Sequence, residues 1–180
     1  MRTLLSLALV GIALMSGCST TPSGGASSDT PAAAVVKPIA ELAPFAPLVG
    51  GTWVAAFNPE VRDEQRYEWV YGGKFLRNEH WVKTKDDKVA YEGETIYAFD
   101  PRAKTLVWWY WNATGGYIVG TGKWDGATAE FVGENYAGPD QTERVRSRLE
   151  LGAADFTATG WFWKDGAWVE QGKRTYRRVK

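Results

Sequence analysis

A single histidine, His80, is the only side chain here that ordinarily changes charge near neutral pH. It is the one candidate for a general base or an imidazole metal ligand. A zinc or iron site draws on several such ligands, and there is no second histidine. No Gly-x-Ser-x-Gly stretch marks a nucleophile elbow. Acid pairs such as Asp86–Asp87 and Glu92–Glu94 sit in a turn or on a wet face, where solvated charge needs no chemical role. The sequence assigns no catalytic residue, no metal ligand and no cofactor. What it holds in abundance is aromatic surface, with 10 Trp, 8 Tyr and 7 Phe. Such rings supply apolar walls, stacking faces and, in Tyr and Trp, a polar tip. The densest stretch is "LVWWYWNATGGY" at residues 106–117, where Trp108, Trp109, Tyr110 and Trp111 follow one another.

Strands must position those rings. From Leu42 onward no helical pattern exceeds two turns; the exception is "ELAPFAPLVGG", whose Leu42, Phe45 and Leu48 are spaced for one turn of 3₁₀ or α-helix. Runs rich in Val, Tyr, Trp, Phe and Thr follow, broken at "NPEVRD", "YGGK", "KDDK", "DPRA", "NATGG", "WDGA", "AGPD", "LGAAD" and "KDGA". These breaks divide residues 42–180 into ten antiparallel strands. The expected fold is all-β, one up-and-down barrel, since closing the sheet removes both of its edges.

Turn positions set register, and register sets which face each ring takes. Across "YGGK", Glu68 meets Arg77 and Arg66 meets Glu79, so that face is solvated, while Gln65, Tyr67 and Trp69 oppose Leu76, Asn78 and His80 inside. Charges on the outer face exclude a lipid-facing membrane barrel. Across "DPRA", Tyr97 is expected opposite Leu106, Thr95 opposite Trp108 and Gly93 opposite Tyr110. The aromatic run therefore splits, with Trp108 and Tyr110 inward and Trp109 and Trp111 outward. Tyr67, Trp69, His80, Tyr91, Tyr97, Trp108, Tyr110 and Phe131 then line a pocket, with Gly93, Gly120 and Gly122 leaving room in it. On the last three strands Arg146, Arg148, Trp161 and Trp163 share the outer face, together with Arg174 and Tyr176. There, arginine planes laid across tryptophan faces contribute on the order of 0.5–1 kcal/mol each.

The N-terminus reads as an export leader, with Arg2 as its positive end and Leu4 to Met15 as an apolar stretch too short to span a bilayer. "LMSGC" resembles the lipobox of bacterial lipoproteins. That resemblance implies a signal peptide at 1–17, lipid on Cys18, and, with Ser19 next, the periplasmic side of the outer membrane. A lipidated Cys18 leaves no thiol for a disulfide or metal. Residues 18–41 are rich in Ser, Thr, Pro, Gly and Ala and read as a flexible tether. The chain has 21 basic and 21 acidic residues, and loss of Arg2 with the leader tips the balance to one acid. That argues against a nucleic-acid partner.

"PLVGGTWVA" places a Gly-x-Trp, Gly51 and Trp53, before the first strand, and Arg177 and Arg178 close the last one. In these positions, and in a ten-strand architecture, the chain resembles the calycins, which include lipocalins, fatty-acid-binding proteins and nitrobindins. The resemblance implies a barrel with an arginine packed over Trp53. Nitrobindin-like haem binding uses a histidine near the C-terminus, which this last strand lacks. Arg174-Thr175-Tyr176 matches in spacing the Arg-x-Tyr with which fatty-acid-binding proteins hold a carboxylate, but the expected register turns both side chains outward.

Two functions remain in view. One is a lipid-anchored barrel binding a small hydrophobic or amphipathic ligand. The other is an interaction module with a filled barrel, whose outer Trp109, Trp111, Arg146, Arg148, Trp161 and Trp163 bind a protein or glycan partner.

Overall fold

The structure, a computed structural model, describes residues 36–138 and 141–179. The leader, Cys18 and most of the expected tether lie outside the described residues. Ten strands follow a 3₁₀ turn at Ala43–Leu48: β1 (Thr52–Asn58), β2 (Val61–Val70), β3 (Phe75–Thr84), β4 (Val89–Asp100), β5 (Thr105–Asn112), β6 (Tyr117–Asp125), β7 (Thr128–Gly138), β8 (Gln141–Leu151), β9 (Asp155–Lys164) and β10 (Ala167–Val179). Each pairs antiparallel with its sequence neighbour, and β1 with β10 closes the barrel. That last ladder is short: Thr52, Val54 and Trp53 between them are matched to Val179, Arg177 and Arg178, and the pairing goes no further.

The alternation of apolar and polar residues decides what each strand buries. Gln65 opposes His80, Tyr67 opposes Asn78 and Trp69 opposes Leu76, while Glu68–Arg77 and Arg66–Glu79 form the wet face, all as the "YGGK" turn requires. Across the turn after Asp125, Gly122 opposes Phe131 and Trp124 opposes Ala129. At "KDGA" the central Asp165 and Gly166 both have positive φ, 51° and 83°. That is the type I′ geometry matching strand twist in a two-residue hairpin.

Two expected registers are corrected. On the "DPRA" turn β4 runs on to Asp100, paired with Thr105, so Tyr97 opposes Trp108 and Thr95 opposes Tyr110. The slip is two residues, one full pleat period, so every side chain keeps its face. On β10 the slip is one residue. Glu170 pairs with Trp161 but Gly172 with Gly160, leaving Gln171 as a bulge. A single extra residue reverses the facing beyond it. Arg174 therefore lies opposite Ala158 and Tyr176 opposite Phe156, turned inward rather than outward. Tyr176 is buried and stacks flat on Phe156, 4.6 Å between ring centres.

The 3₁₀ turn closes one end of the barrel. Leu42, Phe45 and Leu48, its threefold-spaced apolar residues, are fully buried. Phe45 meets Trp124 edge-on at 4.5 Å and lies 5.2 Å from Tyr97. Trp53 donates its indole N–H to the Leu48 carbonyl at 2.7 Å, and Arg178, not Arg177, covers its ring at 4.6 Å while bonding the Pro47 carbonyl. Packing starts earlier than residue 42. The Ile39 amide bonds the Gly73 carbonyl, and Lys37 and Pro38 lie so close to Gly73 that a Cβ there would come 2.5 Å from the Lys37 oxygen. The last residues assigned to the tether belong to the barrel's closed end.

Candidate ligand-binding site

Above the 3₁₀ turn, which plugs one end, the barrel holds an open cavity of about 720 Å³, within the range of small-molecule sites. Tyr97 and Trp108 form its floor: both line the cavity, Tyr97 rests on Phe45 of the 3₁₀ turn, and Trp108 rests on Phe131 of β7, which stacks on Phe45 in turn. Toward the other end its lining reaches the "NATGG" turn at Thr114 and Gly116, and Phe57 at the end of β1.

The wall has two chemistries. β2 to β5 contribute Asp63, Gln65, Asn78, His80, Tyr91, Thr95 and Tyr110; β6, β8 and β9 contribute Ile118, Val145, Leu149, Ala158, Gly160 and Phe162, with Arg146, Ser147, Gln171 and Arg174 as polar residues on β8 and β10. Most of the polar half belongs to a hydrogen-bonded network centred on Asp63, which is 3% exposed. Its carboxylate accepts from the Tyr176 hydroxyl at 2.7 Å and Gln65 Nε2 at 2.9 Å, and His80 Nδ1 lies 3.1 Å from its other oxygen. His80 Nε2 is 3.2 Å from the Tyr110 hydroxyl, which is 2.6 Å from that of Tyr91. Gln65 Oε1 accepts from the Tyr67 hydroxyl at 2.6 Å. Satisfying a buried acid this fully offsets the cost of taking it out of water.

These contacts keep the phenols protonated. Burial, then the bond from Tyr91, pushes Tyr110 well above the ordinary phenol range. Burial, then the neighbouring Asp63 charge, does the same to Tyr176, and burial alone raises Tyr97. Tyr67 is raised by burial first and by its neighbours Tyr97, Tyr176 and Asp63 second. Tyr67, Tyr97, Tyr110 and Tyr176 are therefore neutral across physiological pH.

Of the expected pocket residues, Tyr67, His80, Tyr91, Tyr97, Trp108 and Tyr110 line the cavity. Trp69 and Phe131 do not. Trp69 packs against the core beside the plug, and Phe131 is 1% exposed beneath the floor, 5.2 Å from Tyr97 and 5.5 Å from Trp108. The inward glycines also differ from expectation. A Cβ on Gly93 would lie 2.6 Å from Tyr110 and 2.7 Å from His80, one on Gly120 would strike the Trp108 indole nitrogen, and one on Gly122 would strike Phe131. These glycines make room for rings, not for a ligand. Open space lies instead at Gly160, where a Cβ would meet nothing within 4 Å.

Sequence reasoning missed Asp63 because it closes "NPEVRD", read whole as a turn. Only Pro59 and Glu60 turn, and β2 begins at Val61. The signal was there: Asp63 continues backward the odd-numbered inward series of Gln65 and Tyr67. Tyr176 was lost to the bulge. Its hydroxyl is committed to Asp63, whereas Arg174 reaches over the Phe57 ring at 4.0 Å and, among the described residues, has no carboxylate partner.

The Arg–Trp layering expected of the outer face is present, and its Arg146 and Trp161 also line the cavity. Arg146 and Arg148 lie 5.1 and 5.8 Å from the Trp161 ring, Arg144 lies 5.0 Å from Trp163, and Trp163 meets Trp168 edge-on at 5.1 Å. Glu130 ties the two arginines together from β7, bonding each at 2.8 Å, and those bonds hold its carboxyl below the usual range. On β5, Trp109 is half-buried between Ile96 and Val119, and Trp111 is 44% exposed beside Tyr117. No protein-family model matches the chain, and no curated protein matches it in sequence, so its role is read from these residues alone.

Proposed function

We propose that the protein is a ligand-binding barrel, held by lipid on Cys18 at the periplasmic side of the outer membrane, that takes up a small hydrophobic or amphipathic molecule. The observation behind this reading is the two-sided cavity of about 720 Å³. An apolar wall hollowed at Ser147, Ala158 and Gly160 faces a wall of hydroxyls, amides and one imidazole. Walls of that kind hold the body of a ligand by area and fix its orientation by a few polar contacts. The anchoring half rests on Arg2, the Leu4–Met15 stretch and Cys18.

Native mass spectrometry of protein purified from its own host tests the first half. A co-purifying small molecule that is absent from Gly160→Trp supports it. An empty wild-type barrel that also leaves Trp fluorescence unchanged by fatty acids and haem refutes it. For the anchor, Cys18→Ser moves the protein from the membrane to the soluble fraction; unchanged partition refutes lipidation.

A second reading draws on the outside. Trp111, Tyr117, Val119 and Val132 are each more than 40% exposed on neighbouring strands β5 to β7, alongside the Arg–Trp layers. Exposed apolar patches of this kind favour a protein or glycan partner. Paired Trp161→Ser and Trp163→Ser changes keep the fold and lose any partner recovered by the wild type; full recovery counts against it. On this reading the partner binds the outer surface and the cavity plays no part.

A further inference from the structure

The hydrogen bonds of the polar wall have a direction, and it is set at the buried end. A carboxylate only accepts. His80 Nδ1, 3.1 Å from Asp63, therefore carries a proton, and in a neutral imidazole Nε2 is then a bare acceptor. Its partner, the Tyr110 hydroxyl at 3.2 Å, spends its single proton there. Tyr110 can then meet Tyr91, 2.6 Å away, only as acceptor, so Tyr91 spends its own proton on Tyr110. With the imidazole neutral, any other arrangement sets lone pair against lone pair or leaves a polar atom unbonded, which costs more than a hydrogen bond gains. All protons in the chain Tyr91–Tyr110–His80–Asp63 point toward Asp63. Its cavity end is the Tyr91 oxygen, with lone pairs and no proton to offer.

Building on the ligand-binding reading, we infer that the site selects a ligand carrying a hydrogen-bond donor, a hydroxyl or N–H on an apolar, ring-sized body, donated to the Tyr91 oxygen. The body lies on the apolar wall at Ala158, Gly160 and Phe162. A carboxylate or ether at the same place brings acceptor against acceptor. The selectivity belongs to the whole chain: cutting it at Tyr110 frees the Tyr91 proton and turns that hydroxyl into a donor.

The test uses 2-naphthol, which donates, and 2-methoxynaphthalene, which is close in shape and only accepts, with affinities measured by calorimetry at pH 8. Wild type binds 2-naphthol about five- to tenfold more tightly, the worth of one hydrogen bond. Tyr91→Phe loses that preference while holding 2-methoxynaphthalene unchanged. Tyr110→Phe erases it by the opposite route, tightening 2-methoxynaphthalene, which can now accept from Tyr91, a gain that no general loosening of the fold produces. Near-ultraviolet circular dichroism checks that both variants keep their packed aromatics. Equal binding of the two probes by wild type, or an unchanged preference in Tyr110→Phe, overturns the inference and leaves the cavity reading standing. Failure of both probes to bind wild type, with no difference from Gly160→Trp, counts against the cavity reading itself.

Discussion

Asp63 holds three donors from three strands, the Tyr176 hydroxyl of β10, the Gln65 amide of β2 and the His80 imidazole of β3. Removing its carboxylate strands all of them in a dry place. Asp63→Ala is expected to cost about 3 kcal/mol in urea unfolding, and Tyr176→Phe about 2 kcal/mol, since bonds to a buried charge exceed neutral ones. The double variant should lose less than the sum because both changes cut the same bond. Glycines divide by the same logic. Gly93→Ala pushes into Tyr110 and His80, and about 2 kcal/mol of overpacking follows. Gly160→Ala enters empty space and is expected to stay within about 0.5 kcal/mol of wild type. A thermal-shift series on the two variants distinguishes glycines that seat rings from the one that borders the cavity. From sequence alone all the inward glycines look alike, because the type of a residue says nothing of what the opposite strand lays over it.

At the scale of the strand, what was legible and what was not separate cleanly. The nine breaks and the facing of β2 through β9 follow from alternation and turn chemistry, which are local. The two-residue slip between β4 and β5 left Trp108 and Tyr110 inward and Trp109 and Trp111 outward, because side chains repeat every two residues. A one-residue bulge has no such protection. Gln171 carries no turn signature, yet it reverses β10 and brings Arg174 and Tyr176 into the interior. Deleting Gln171 removes the bulge and sets the hairpin with β9 against the pairing of β10 with β1. The expected result is a loss of more than about 2 kcal/mol with the Tyr176–Asp63 bond broken. Near-ultraviolet circular dichroism, sensitive to the Phe156–Tyr176 stack, reports it; an unaltered spectrum and midpoint would show that β10 tolerates either facing.

For the whole molecule, nine ladders join strands adjacent in sequence, and one joins the first strand to the last. The nine are short-range contacts that zip one after another. The tenth brings Thr52–Val54 against Arg177–Val179 at the greatest separation the barrel contains, and loop closure makes such contacts slow. Until that clasp is fastened, the chain is a curved sheet with two bare edges, and bare edges recruit strands from other copies. The clasp is also brief, three residues on each side, with Arg178 gripping Trp53 and the plug carbonyls as its catch. A chain ending at Tyr176 should therefore still form its hairpins but populate soluble oligomers at micromolar concentration, visible by size-exclusion chromatography. A monomer indistinguishable from wild type would mean that the plug alone holds the ring shut. The same three residue pairs that make the protein a barrel are thus its safeguard against polymerisation.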